Sequence, residues 1–341
     1  MNSLASRYQG IVCDLDGVVY KGTDAVPEAV PALEGARDLG MRIVYATNNA
    51  SRPPREVSDQ LGSLGLTLTP ADVVTSSQAG AHYLAGELPA GALVLAVGGE
   101  GVALALREVG LRPVRTGDPA AEQTEAVLQG LGRDVTWTDL AEAAFAVGRG
   151  ARWVATNADT TLPTHRGLAP GNGSLVAVVR AAVDVDPVVV GKPYPPLYEL
   201  AAAVLGTAIP DTLAIGDRLD TDLAGAVSTG MDGLYVATGV SSPRDVALAD
   251  GSERPRFLAR DLSALHRPYD EAQEADDGWF TCDGVRARVA DGTIEVDGDG
   301  GRDARLRAVV AACWAAADAG TDLSGIDDSQ WTQTQEWMER T

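Results

Sequence analysis

Short apolar runs alternate with helix-patterned stretches over residues 10–76, and that alternation restricts the chain to one class of fold. Ile11-Val12-Cys13 has the length and apolarity of a buried strand. Residues 27–39 carry the apolar spacing of a helix, and Met41 to Ala46 reads as a second strand. A second helix follows over 56–64, opened by Pro53-Pro54 and stopped by Gly65. Strands that alternate with helices build a parallel sheet covered on both faces, a doubly wound, Rossmann-like α/β core.

The chain has 341 residues, too many for one ordinary core. A second α/β block runs over 77–189, with strands at 93–97, 126–128 and 153–155 and helices at 101–109 and 140–148. The first pattern then resumes with apolar runs at 188–190, 212–215 and 234–236. The expectation is a core of 1–76 and 190–267 interrupted by an inserted domain of 77–189. Residues 268–341 form a small α+β extension. There 270–277 reads as an acidic linker, 279–296 as a hairpin turning at Asp291-Gly292, and 302–317 as a helix.

The formal net charge of -21 argues against nucleic acid and anionic membranes as partners. A phosphate can still bind where local cations or backbone N–H groups overcome that field. Only two lysines, Lys21 and Lys192, stand against 25 arginines, so the positions that keep lysine attract notice. Cys13, Cys282 and Cys313 are scattered, which suits neither a disulfide framework nor a zinc site. No stretch has bilayer length and the first residues lack a signal-peptide block, so the chain reads as cytoplasmic.

Four polar motifs each follow an apolar strand run. The first is Asp14-Leu15-Asp16-Gly17. Asp-x-Asp-Gly alone suits a turn or a calcium-loop fragment equally. At the C-terminal end of a strand in a parallel sheet it lies where ligands bind. Two carboxylates there repel each other unless a cation is present, and oxygen ligands suit Mg²⁺. The second is Thr47-Asn48-Asn49, whose hydroxyl and N–H groups can hold phosphate oxygens, although such a run can also be a loop or a helix cap. The third is Gly191-Lys192-Pro193, whose ammonium can neutralise charge at a phosphoryl group. The fourth is Gly216-Asp217 with Asp220 and Asp222, a second carboxylate set that could complete a metal site or sit at a helix N-terminus.

In that order, across residues 8–265, these motifs resemble the haloacid dehalogenase superfamily of phosphohydrolases. Within it, they resemble the branch holding 4-nitrophenyl, phosphoglycolate/glycerol-3-phosphate and pyridoxal phosphate phosphatases, which inserts an α/β cap. The resemblance implies that Asp14 attacks phosphorus and that Asp16 is the acid and base. It implies that Thr47 and Lys192 hold phosphoryl oxygens, with Asn48 and Asn49 beside them. It implies Mg²⁺ on the Asp14 carboxylate, the Asp16 backbone carbonyl and Asp217, with Asp222 behind them.

The cap block supplies the leaving-group contacts by the same resemblance. The segment 156–163 matches the family's cap loop and offers Asp159 and Thr161, with His165 close by. Leu162-Pro163 resembles the phosphoglycolate/glycerol-3-phosphate enzymes, where the pyridoxal enzymes carry a histidine beside the proline. Gly130-Leu131-Gly132 departs from the family's Gly-x-Asp, so no aspartate acts there. Glycerol 3-phosphate is the favoured substrate, with phosphoglycolate, 4-nitrophenyl phosphate and sugar phosphates as alternatives, and pairing of caps into a homodimer is implied. A protein of this fold that had lost its chemistry would show damaged carboxylates, and Asp14, Asp16 and Asp217 are intact. Residues 298–307 resemble the glycine-rich turn and helix of acyl-CoA-dependent N-acetyltransferases. The full Gly-x-Gly turn with its basic residue is missing, so a packing or regulatory module is expected there.

Overall fold

A computed structural model describes residues 3–164 and 166–339. The chain divides into two compact units, Met1–Ile43 with Thr207–Thr341, and Val44–Gly206. The expected insertion at 77–189 lies wholly inside the second unit, which also takes in the strand ends at Thr47 and Lys192.

In the first unit the strands Phe257–Ala259, Asp232–Val236, Thr212–Gly216 and Gly10–Cys13 lie side by side in that order. All pair in parallel, with Gly10 opposite Thr212 and Cys13 opposite Ile215. Every residue of Gly10–Cys13 and Thr212–Gly216 is buried, which is why these strands read as continuous apolar runs and do not alternate. The strand Arg42–Thr47 begins beside Gly10, where the Arg42 N–H donates to Gln9 O at 3.3 Å, and continues into the second unit. Helix Ala29–Asp38 turns Ala29, Ala32, Leu33 and Ala36 inward, the three-to-four residue spacing seen in the sequence.

The tail belongs to this unit and shares its core. Leu219, Leu223, Tyr235, Val246 and Leu258 pack in one buried cluster with Ile294, Leu306, Val310, Trp331 and Trp337. The expected hairpin is present as Val285–Ala290 and Thr293–Gly298, with Asp291 and Gly292 both at positive φ as a two-residue turn requires. Two further strands, Gln273–Glu274 and Phe280–Cys282, complete a four-stranded antiparallel sheet, so part of the acidic segment read as a linker is strand. Helix Arg302–Asp318 covers that sheet. Its buried Arg307 donates to Leu258 O at 3.0 Å and lies 3.8 Å over the Tyr269 ring, so the charge is spent on packing.

The second unit contains a five-stranded parallel sheet in the order Val188–Val189, Arg152–Ala155, Ala126–Gln129, Leu93–Val97 and Arg112–Val114. Val188–Val189 was expected to resume the first sheet. It pairs with Val154 and Ala155 of the second sheet instead. Thr161–Thr164 and Gly167–Pro170 form an exposed hairpin. Beyond Ile43 the strand Arg42–Thr47 pairs with Val73–Thr75, with Thr47 opposite Thr75. Thr75 then caps the helix Ser76–Glu87 through a reciprocal bond with Gln78.

Candidate active site

The first unit assembles carboxylates. Strand Gly10–Cys13 hands over directly to Asp14, whose N–H donates to Ile215 O at 2.9 Å. The neighbouring strand ends at Gly216, so Asp217 emerges beside it. The chain then makes a wide helical turn over Leu219–Leu223 that brings Asp222 back, and its Oδ2 accepts from the Arg218 N–H at 3.2 Å. One oxygen each of Asp14, Asp217 and Asp222 lies within 4.8 Å of the other two. Three carboxylates so close are all ionised together only with compensating positive charge. Their hard oxygen donors and spacing fit a divalent cation of the Mg²⁺ type.

Glycines make that closeness possible. A Cβ on Gly17 would lie 2.6 Å from Asp217 Oδ2, and Gly17 has a φ of +83°. A Cβ on Gly239 would lie 1.7 Å from the same oxygen. Asp217 is fully buried, and its Oδ2 accepts from the Val240 N–H at 2.6 Å. The loop that supplies this donor is braced at three points. Thr238 Oγ1 donates to Gly17 O at 2.6 Å, the Leu219 N–H donates to Ser241 Oγ at 3.1 Å, and Tyr235 OH donates to Ser241 O at 2.5 Å. Burial, and after it the Asp217 charge, pushes the Tyr235 phenol upward, so it stays a donor.

Asp16 is exposed and its carboxylate is not part of the cluster. Its segment is a tight turn in which the Gly17 N–H donates to Tyr20 O at 2.8 Å, followed by the small hairpin Tyr20–Lys21 and Asp24–Ala25.

The second unit assembles cationic and amide groups. Strand Arg42–Thr47 ends on Thr47, whose Oγ1 accepts from the Asn49 N–H at 3.1 Å. The Asn48 side chain pairs with the peptide groups of Lys192: Oδ1 accepts from its N–H at 2.8 Å, and Nδ2 donates to its C=O at 3.2 Å. Nδ2 also reaches Asp159 Oδ2 at 3.3 Å. The Asn49 side chain is taken up locally, its Oδ1 accepting from Ser51 N and Oγ. Lys192 is buried, with 4% of its surface exposed. Burying an ammonium is costly unless it is paired or hydrogen-bonded.

Thus Asp14, Asp217 and Asp222 come together in one unit, and Thr47, Asn48, Asp159 and Lys192 in the other. Thr161 stands on the exposed hairpin, and His165 lies outside the described residues. Asp222, expected behind the ligands, has one carboxylate oxygen within 4.8 Å of an oxygen of Asp14 and of Asp217. Sequence reasoning gave no role to Gly239, Ser241 or Asn157. The segment from Thr238 to Ser242 follows a buried strand as the four chosen motifs do, and that signal was available.

Family models for a haloacid dehalogenase-like hydrolase and for a HAD-hydrolase-like segment match residues 11–112 and 189–265. The chain is 43% identical to the D-glycerol 3-phosphate phosphatase of Mycobacterium tuberculosis over 329 residues, 94% of this chain and 89% of that one. It is 38% identical to a 5'-nucleotidase of Bacillus subtilis over 75% of this chain and 96% of the relative. A crystal structure of the M. tuberculosis glycerol phosphate phosphatase with magnesium superposes with a TM-score of 0.85 at 41% identity, covering 99% of both chains. The p-nitrophenyl phosphatase of Archaeoglobus fulgidus gives 0.70 at 29% identity, covering 76% and 98%. The chain belongs to the haloacid dehalogenase-like hydrolase family and is an enzyme of its phosphatase branch.

Proposed function

We propose that the chain is a Mg²⁺-dependent phosphomonoester hydrolase that works through an aspartyl phosphate on Asp14, with glycerol 3-phosphate as its favoured substrate. The carboxylate cluster at the ends of two adjacent parallel strands carries the chemical part of this reading. The identity to a D-glycerol 3-phosphate phosphatase over nearly the whole chain supports the substrate.

An Asp14 carboxylate oxygen forms the new bond to phosphorus while the bond from phosphorus to the leaving oxygen breaks. Asp16, protonated for this step, gives its proton to the leaving alkoxide. Its exposure suits a group that exchanges protons with solvent. Asp16 then takes a proton from water, the water oxygen bonds to phosphorus, and Asp14 is released with inorganic phosphate. Thr47 and Lys192 take the phosphoryl oxygens, and buried Lys192 offsets their charge. Asp14, the Asp16 carbonyl and Asp217 would hold Mg²⁺, with Asp222 in the same carboxylate cluster, and the ion would supply Lewis-acid charge compensation between the two anions.

The same reading treats 1–76 with 190–267 as the catalytic core, 77–189 as the cap and 268–341 as an extension. It makes the enzyme a cytoplasmic homodimer that pairs through the cap and binds neither nucleic acid nor membrane. Exposed Trp137 and Phe145 on the cap block support the pairing. The scattered free cysteines suit a reducing compartment.

A phosphate-release panel with Mg²⁺ tests the function, using glycerol 3-phosphate, phosphoglycolate, 4-nitrophenyl phosphate, sugar phosphates and pyridoxal phosphate. Glycerol 3-phosphate should give the highest kcat/KM. A clear preference for pyridoxal phosphate would overturn the substrate, and no turnover of any ester would overturn the activity.

A further inference from the structure

The lysine assigned to the phosphoryl group is held in an unusual way. Asn48 pairs its side-chain amide with both peptide groups of Lys192, as a neighbouring strand would. The approach is close enough to exclude any side chain on the preceding residue. A Cβ on Gly191 would stand 2.6 Å from Asn48 Oδ1 and 2.3 Å from Thr156 O. Asn48 is itself held from the far side. Its backbone carbonyl accepts two bonds of 2.7 Å, from Ser76 Oγ and from Asn157 Nδ2.

Asn157 is 4% exposed and is fixed in turn by the sheet of the second unit. Its carbonyl accepts from Asn172 Nδ2 at 2.8 Å, and Asn172 Nδ2 also reaches Gln129 O at 3.4 Å. Gln129 Oε1 accepts from Trp153 Nε1 at 3.0 Å. Asn172 and Gln129 are buried. A run of buried amides thus leads from the middle of the sheet to the backbone of Lys192. The Asn157 and Asn48 side chains are each bonded to backbone groups, which favours one geometry at Lys192.

We propose that Asn157 is a positioning residue for the reaction: through Asn48 it fixes where the Lys192 ammonium meets the phosphoryl group. The inference rests on the proposed phosphatase reading and deepens it. Asn157 touches no substrate on this account. Its loss leaves ester binding nearly intact and lowers turnover, because a displacement of about 1 Å at a catalytic group costs on the order of 100-fold.

The test is a double-mutant cycle on the full chain with 4-nitrophenyl phosphate and Mg²⁺. Asn157 Oδ1 also accepts from the Asp159 N–H at 3.2 Å; Asn157→Asp keeps size and that acceptor and removes the donor to Asn48, while Asn157→Ala removes both, so either variant that folds serves. Circular dichroism and Tm identify the folded ones. The expected result is a kcat lowered roughly 30- to 100-fold with KM within about threefold. In a Lys192→Ala background the same substitution should cost less than about twofold, because the lysine it positions is gone. Wild-type kcat in a folded Asn157 variant overturns the inference, as does a double variant that loses the product of the two single losses. If wild type fails to release phosphate from any ester, the phosphatase reading has failed instead.

Discussion

Gly239→Ala puts the metal-site geometry under a sharp steric test. The added Cβ would stand 1.7 Å from Asp217 Oδ2 and 2.2 Å from its Cγ, where ordinary contact begins at 3.4 Å. The carboxylate or the loop must therefore move by well over an ångström. The Val240 N–H bond to Oδ2, now 2.6 Å, cannot survive that movement unchanged. Magnesium holds its oxygens at about 2.0–2.1 Å and tolerates errors of only about 0.2 Å. Displacing Asp217 should raise the Mg²⁺ concentration for half-maximal activity at least as much as losing a bond behind a ligand does, roughly 10- to 100-fold. Overpacking at this buried site should also cost about 1–3 kcal/mol of stability. The assay is phosphate release against Mg²⁺, with Tm alongside. Gly86→Ala is the control, because a Cβ there meets nothing within 4 Å. A Gly239→Ala enzyme with wild-type Mg²⁺ dependence would refute the placement of Asp217 at the metal.

Asp222→Asn should raise the Mg²⁺ requirement by roughly tenfold or more, and Asp220→Asn, an exposed carboxylate paired with Arg218, should not; titrations of activity against Mg²⁺ compare them. Lys192→Arg should lower kcat by about 100-fold, because a wide planar guanidinium cannot occupy the buried site of a compact ammonium; steady-state kinetics read this directly. Burial pushes the Cys313 thiol up to about 12 and raises Cys282 as well, so both stay protonated at pH 8. A thiol-specific chromogenic reagent should therefore find almost no reactive cysteine in the native enzyme, and all three after denaturation.

The strands and their chemistry were legible because buried parallel strands are continuous apolar runs, and their ends are where polar residues resume. Asp14, Thr47, Lys192 and Asp217 were picked out in this way, and Asp14 and Asp217 share one carboxylate cluster. The tail hairpin was legible because Asp291-Gly292 can adopt two successive positive φ angles. Partner choice was not legible: Val188–Val189 suits any parallel sheet, and nothing local says that it pairs with Val154 and Ala155. The unit boundary was hidden for a related reason, since Arg42–Thr47 is one unbroken strand whose second part is counted with the second unit. Gly239 was missed because its meaning lies in a carboxylate 22 residues away in sequence and touching in space. Asn157 lay unremarked in the segment 156–163, and only its bond to the Asn48 carbonyl in the fold marks it out.

The central claim is that phosphorus passes through Asp14. Quenching the enzyme during turnover with Mg²⁺ and glycerol 3-phosphate, then reducing it with borohydride, converts an acyl phosphate to an alcohol. Peptide mass mapping should then find homoserine at position 14, and only when both ester and Mg²⁺ are present. The Asp14→Asn enzyme should give no such product and negligible turnover. Reduction at a different carboxylate, or rapid ester hydrolysis by the Asp14→Asn enzyme, would contradict the account.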